Sequence, residues 1–177
     1  ENLSKKAEAF GYKEIHLQVW GENSEEIHKI SKFIASLSTQ RLKVYAKLPI
    51  TLAYTQAARK LIQSNFPLTF TACYEAKQII IASAIGASYI APYLGRINDE
   101  GREGLNEIIK MQKILDGIQS TCQILVASIR DPMEICHLAS HGIKTFTINS
   151  NIAEELFKSE STSEALKEFQ KNIKKSN

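Results

Sequence analysis

The chain has 177 residues, 44% of them hydrophobic and 23% charged, and carries a formal net charge of +3. That length suffices for one domain with a sizeable core, and the composition is that of a globular protein rather than a disordered or fibrous one. Lys and Arg are scattered, and the one basic stretch, Lys167 to Lys175, reads as a solvated helix face, so nothing argues for nucleic acid. No apolar run is long enough to span a bilayer. Cys73, Cys122 and Cys136 lack the spacing of a metal site, and an odd count without a signal peptide points to a reducing cytosol.

Along the chain, strand-like and helical patterns alternate. Ile15–Trp20 is the first strand, and Asn23 with Glu26 resembles a capping box ahead of Ile27, Ile30, Ile34 and Leu37 at helical spacing. Leu42–Ile50, Leu68–Cys73, Tyr89–Leu94, Gln123–Ile129 and Thr145–Asn149 are the other five strands. Gly86 stops the helix before Tyr89, and the stretch from Asp99 to Gly117 places Ile108, Met111, Leu115 and Ile118 on one face. Asp131, Pro132 and Glu134 form a helix start, and Gly142 ends that helix. In the last helix, over residues 163–177, Ala165, Phe169 and Ile173 share a face.

This alternation predicts a parallel sheet. A sheet covered on both faces should be apolar at both parities. Here Ile15, Leu17 and Val19 oppose His16, Gln18 and Trp20. Leu68 and Phe70 oppose Thr69, Thr71 and Cys73. Phe146 and Ile148 oppose Thr145, Thr147 and Asn149, and Leu125, Ala127 and Ile129 oppose Ile124, Val126 and Ser128, with Arg130 next in register. One parity stays apolar while the other turns polar toward the strand's C-terminal end, which suits a barrel with a polar mouth. Lys43, Tyr45 and Lys47 are placed inside. A lysine near the C-terminal end of such a strand can be a desolvated amine that attacks a carbonyl, or a side chain that snorkels to the rim or pairs with a carboxylate.

Four ordered segments resemble the transaldolase family. Ala46-Lys47-Leu48-Pro49-Ile50-Thr51 is similar to its Schiff-base lysine segment, Thr69-Phe70-Thr71-Ala72 to the next strand, Ala91-Pro92-Tyr93-Leu94-Gly95-Arg96-Ile97-Asn98-Asp99 to its most recognisable motif, and Val126-Ala127-Ser128-Ile129-Arg130-Asp131-Pro132 to the strand and helix start that follow. The resemblance covers essentially the whole chain and is nearest to the small branch that includes fructose-6-phosphate aldolase. Gln18 and Tyr93 stand where many transaldolases carry glutamate and phenylalanine, which points to the aldolase subtype.

The resemblance implies an α/β fold of the (β/α)8 TIM-barrel type, with about six of the eight strand–helix units in this chain. Residues 1–177 would form a single barrel domain that lacks its first two strands, and with them the family's catalytic aspartate and its Thr-Thr-Asn-Pro-Ser-type segment. Glu1–Phe10 would be the tail of the second helix, and the open sheet edges a pairing hazard. It further implies that Lys47 forms an imine with a ketose phosphate, that Gln18, Tyr93 and Thr71 hold the water used in proton transfer, and that Arg96, Ser128 and Arg130 bind the phosphate, helped by the N–H groups at the helix start after Asp131. The reaction would cleave or transfer a dihydroxyacetone unit in carbohydrate metabolism, in the cytoplasm, with no metal or cofactor. The partners would be a sugar phosphate and further copies of the chain, with the 163–177 helix docking on a neighbour. A chain without the aspartate could instead be a non-catalytic sugar-phosphate-binding or assembly subunit. Of the histidines, His28, His137 and His141 fall on helix patterns, and none, His16 included, matches a catalytic position.

Overall fold

A computed structural model describes residues 1–176, with side chains through Lys174; Asn177, the last residue of the expected C-terminal helix, lies outside the described residues. After helix α1 (Asn2–Ala9) the chain runs β1 (Glu14–Gln18), α2 (Ser24–Ser36), β2 (Lys43–Pro49), α3 (Leu52–Ile62), β3 (Leu68–Cys73), α4 (Ala76–Ile85) and β4 (Tyr89–Pro92). It continues through α5 (Leu94–Asp99), α6 (Gly104–Gly117), β5 (Gln123–Val126), α7 (Pro132–Ser140), β6 (Thr145–Phe146), α8 (Ser150–Glu155) and α9 (Glu160–Ser176). Every neighbouring strand pair is parallel, and the strand order in the sheet is the order in the chain.

The sheet curls into a half-barrel of six strands. β1 and β4 are separated by β2 and β3, which would hold them about 14 Å apart in a flat sheet. Yet the rings of His16 and Tyr89 meet at 5.2 Å, and Tyr89 Oη donates to Glu14 at 3.0 Å. Side chains that stand perpendicular to a sheet can meet across that span only on a concave face. On the convex face Val44, Ala46, Leu48, Leu68, Phe70, Ile90, Ile124 and Val126 are buried against the helices. The helices answer with Ile27 and Ile34 of α2, Ala57, Ala58 and Leu61 of α3, Ile79 and Ala82 of α4, Ile108, Met111 and Leu115 of α6, and Leu138 of α7.

The helix starts follow the sequence signals. Asn23 accepts from the N–H of Glu26, although Glu26 reaches back to the N–H of Glu22 rather than to Asn23. Asp131 and Glu134 complete a capping box with Pro132 in the first turn, and Gly86 caps α4 in the left-handed conformation. In the stretch from Asp99 to Gly117 the helix is α6, Asp99 being the last residue of α5, and Ile118, expected to share a face with Ile108, Met111 and Leu115, is the exposed C-cap.

Two strands depart from simple alternation. In β5 the concave parity is that of Gln123 and Leu125, the register partners of Tyr89 and Thr145, so Ile124 and Val126 face the helices, opposite to the sequence expectation. Alternation ends at Ser128, whose φ is +61°, so Ser128 and Arg130 do not continue the parity of Ile124 and Val126. In β3, Ala72 has a φ of +54° and the register with β4 shifts between Phe70 and Cys73. Cys73 is thereby carried out of the parity of Thr69 and Thr71 and into the core. Burial pushes its thiol up to about 12, as it does that of Cys122, which leaves both unreactive.

Candidate active site on the concave face

Lys47 lies in the C-terminal half of β2, in register with Gln18 on β1 and Thr69 on β3. Its neighbours Ala46 and Leu48 are buried on the helix side, so Lys47 itself occupies the concave parity, where it is half-buried. Among the described residues no carboxylate lies within ion-pair distance of its amine. Its carbonyl accepts from the N–H of Val19 at 2.9 Å and from Nε2 of Gln18 at 3.0 Å. The Gln18 amide is therefore spent partly on holding the β1–β2 pairing.

Toward the C-terminal end of the face, Thr71 Oγ1 and Tyr93 Oη are hydrogen-bonded at 2.9 Å. Thr71 is buried, and the register shift after it brings β4 close enough for Tyr93 to reach it. Tyr93 follows β4 and caps α5, with its N–H on the carbonyl of Cys73 and a bridge to Ala127. The Arg96 guanidinium lies over the Tyr93 ring, 5.0 Å from its centroid, and Nη1 donates to Tyr74 Oη at 3.5 Å. Those two tyrosines, the hydroxyl of Tyr74 foremost, hold Arg96 above its already high value, so it is a permanent cation.

The start of α5 is laced to the end of β5: Leu94 N–H donates to the carbonyl of Ala127 and Gly95 N–H to that of Ser128, each at 2.9 Å. This brings Arg96, Ser128 and Arg130 to one corner. Arg130, however, is engaged there. Both of its terminal nitrogens donate to Asp99, the last residue of α5, at 2.6 Å, and that bond holds the Asp99 carboxyl below its ordinary range. The α7 N–H groups expected to attract a phosphate also have internal acceptors. Asp131 accepts from Met133, and Glu134 from Arg130 and Asp131, so two carboxylates already occupy that helix start.

Gly95 makes this corner possible. A Cβ there would stand 2.5 Å from the carbonyl oxygen of Ser128 and 2.7 Å from Nε of Arg130. Gly95→Ala is expected to cost about 1–3 kcal/mol, the scale of an overpacked site. Chemical denaturation would measure it, with the rim more readily cleaved by protease than in the parent.

A second group on the face is absent from the sequence reading as a site. His16, Tyr45 and Tyr89 pack ring against ring beneath Lys47, with Glu14 held by both tyrosine hydroxyls. Burial lowers the pKa of His16 from 6.5; Glu14 opposes that shift and Lys47 adds to it. The unfolded chain therefore binds more protons than the folded one once the pH falls below about 6.5. Stability from this group is complete above that pH and is lost below it, levelling off under the lower folded value. The melting temperature should fall between about pH 7.5 and 5.5 more steeply for the parent than for His16→Gln.

A curled parallel sheet with a lysine, a threonine–tyrosine pair and an arginine at the C-terminal ends of consecutive units defines a barrel-type α/β protein with a polar mouth. Residues 3–177 match the family described as transaldolase/fructose-6-phosphate aldolase, and the chain belongs to that family. It is 28% identical over 155 residues to a probable transaldolase of Oceanobacillus iheyensis, covering 88% of this chain and 71% of that protein. A probable transaldolase of Hydrogenobaculum sp. is 29% identical over 161 residues (91% and 73%), and one of Thermoplasma volcanium 33% over 129 residues (73% and 58%). Among solved structures, mandelate oxidase aligns with a TM-score of 0.59 at 12% identity, over 82% of this chain. The chain spans about half the length of that enzyme (52%), and the likeness concerns the fold alone.

Proposed function

We propose that the chain carries out class I aldolase or transaldolase chemistry on ketose phosphates. The carrying observation is that Lys47, the Thr71–Tyr93 pair and Arg96 come from successive units and gather at one end of one concave face. The neutral amine of Lys47 adds to the ketone of a substrate such as fructose 6-phosphate, and loss of water gives an imine. The water at the mouth takes the proton of the C4 hydroxyl, and the protonated imine draws in the electron pair of the C3–C4 bond as glyceraldehyde 3-phosphate leaves. The enamine that remains takes a proton and is hydrolysed to dihydroxyacetone, or it adds to an acceptor aldose. Thr71 and Tyr93 orient the water that carries those protons, and Gln18, across β2 on β1, is the third residue assigned to it. Arg96 receives the phosphate, and Ser128 and Arg130 join once Arg130 is shared between Asp99 and the substrate. As a further element of the proposal, α9, which leaves Leu166, Phe169 and Ile173 exposed, docks on a neighbouring copy.

The second reading, a sugar-phosphate-binding subunit without turnover, is favoured by one feature. Glu14 lies at the opposite end of the strands, and Asp99 at the mouth is bound to Arg130. One experiment separates the two. The chain is incubated with fructose 6-phosphate or dihydroxyacetone, reduced with borohydride and digested for peptide mass spectrometry. The aldolase reading expects the adduct on Lys47. Label on Lys43 or Lys144, or no adduct at all, would overturn it.

A further inference from the structure

The concave face is layered. Glu14 and Lys43, register partners, lie nearest the N-terminal ends of β1 and β2. Next come three rings in mutual contact. His16 stacks on Tyr45 at 4.5 Å and 7°, while Tyr89 meets His16 at 5.2 Å and Tyr45 at 5.3 Å edge-on. Beyond them lie Gln18 and Lys47, also register partners, and then the Thr71–Tyr93 pair.

The ring layer is fastened on both sides. Tyr45 Oη donates to one Glu14 oxygen and Tyr89 Oη to the other, each at 3.0 Å. His16 Nδ1 is 2.7 Å from Thr69 Oγ1, and its Nε2 is 3.8 Å from Glu14. Lys43 Nζ lies 5.1 Å from the Tyr45 ring centroid.

A lysine that reaches a carboxylate is held as the ammonium ion and is no nucleophile. Lys47 has no such partner among the described residues, although Glu14 presents a carboxylate to the same concave face two residues before His16. The rings lie between them and offer no anionic partner. We propose that His16, Tyr45 and Tyr89 form a partition beneath Lys47 that keeps Glu14 from pairing with it and so keeps the amine available. His16 is the positioning residue of this layer, diagonal to Lys47 on the adjacent strand, and the two tyrosine hydroxyls retain the carboxylate below.

The partition requires a neutral imidazole. The charged and titratable groups facing His16 are Glu14 from its own strand, Tyr45 and Lys47 from β2, and Tyr89 from β4, with Lys43 over the Tyr45 ring. Burial favours the uncharged ring. The inference deepens the aldolase reading, because imine formation needs the free amine, but its test uses no substrate.

The 177-residue chain is trace-labelled with acetic anhydride at about pH 8, where an unperturbed histidine is neutral, and the acetylation rate of each lysine is read by peptide mass spectrometry. In His16→Ala, Lys47 should label on the order of tenfold more slowly relative to the exposed lysines, the effect of one decade in free amine. Adding Glu14→Gln should restore the rate, and His16→Phe, which keeps a ring and no charge, should label like the parent. An unchanged or faster rate in His16→Ala, or a slowing that Glu14→Gln does not reverse, would overturn the partition. Should His16→Ala fail to fold, Tyr89→Leu opens the same layer from β4, and the same comparison with and without Glu14→Gln decides. Failed imine trapping beside the expected labelling pattern would remove only the aldolase reading. Successful trapping beside the wrong pattern would remove only the partition.

Discussion

Lys47→Arg should abolish the borohydride-trapped adduct and lower turnover of fructose 6-phosphate by at least about 10²–10⁴-fold, the scale of a positioned catalytic group. A guanidinium stays protonated at any working pH and has no free electron pair for a ketone. The substitution should leave the fold alone. Lys47 is half-buried on the concave face, while the packing of β2 is carried by Ala46 and Leu48 on the other parity, both essentially fully buried. Its structural role is through its carbonyl, which accepts from Val19 and Gln18 and is the same in arginine. The melting temperature should therefore move by no more than a few degrees, as for a substitution outside the core. An adduct that persists in Lys47→Arg would assign the amine elsewhere. Loss of adduct together with loss of the folded state would make Lys47 structural.

The strands, the helix starts and the parity of β1 and β2 were legible because each rests on local chemistry. Lys43, Tyr45 and Lys47 alternate with fully buried aliphatics, and Asp131, Pro132 and Glu134 make a helix start that needs no tertiary context. Where the reading failed, a backbone or long-range feature decided. Residues 124 to 127 are apolar at both parities, so in the sequence only the polar Ser128 and Arg130 set a register, and a positive φ at Ser128 breaks the alternation there. Ala72 does the same to Cys73, and alanine gives no warning of a left-handed conformation. The Arg130–Asp99 pair joins residues 31 apart, across a contact that spacing cannot reveal. His16 has no titratable neighbour pattern in the sequence that marks it out from the other three histidines. It acquires partners only because the sheet curls enough to bring β1 onto β4.

In the anion site proposed above, most of the weight falls on one side chain. Arg130 already gives both terminal nitrogens to Asp99, and the N–H groups of Arg130, Asp131 and Met133 around the start of α7 go to carboxylates. Arg96 differs. Its guanidinium rests on the face of Tyr93 and touches Tyr74 at 3.5 Å, with no carboxylate within ion-pair distance among the described residues. A guanidinium placed flat on an aromatic ring keeps its edge donors available for phosphate oxygens. Arg96→Ala should therefore weaken fructose 6-phosphate on the order of ten- to a hundredfold, the equivalent of one hydrogen bond to a charged group. Unphosphorylated dihydroxyacetone should change little. Because Arg96 is exposed, the difference between the two substrates should shrink as salt is raised. Competition by each substrate against trapping at Lys47, at low and high ionic strength, measures both effects. Equal losses for the two substrates would mean that Arg96 serves to hold Tyr93 over Thr71 and that the phosphate is bound elsewhere.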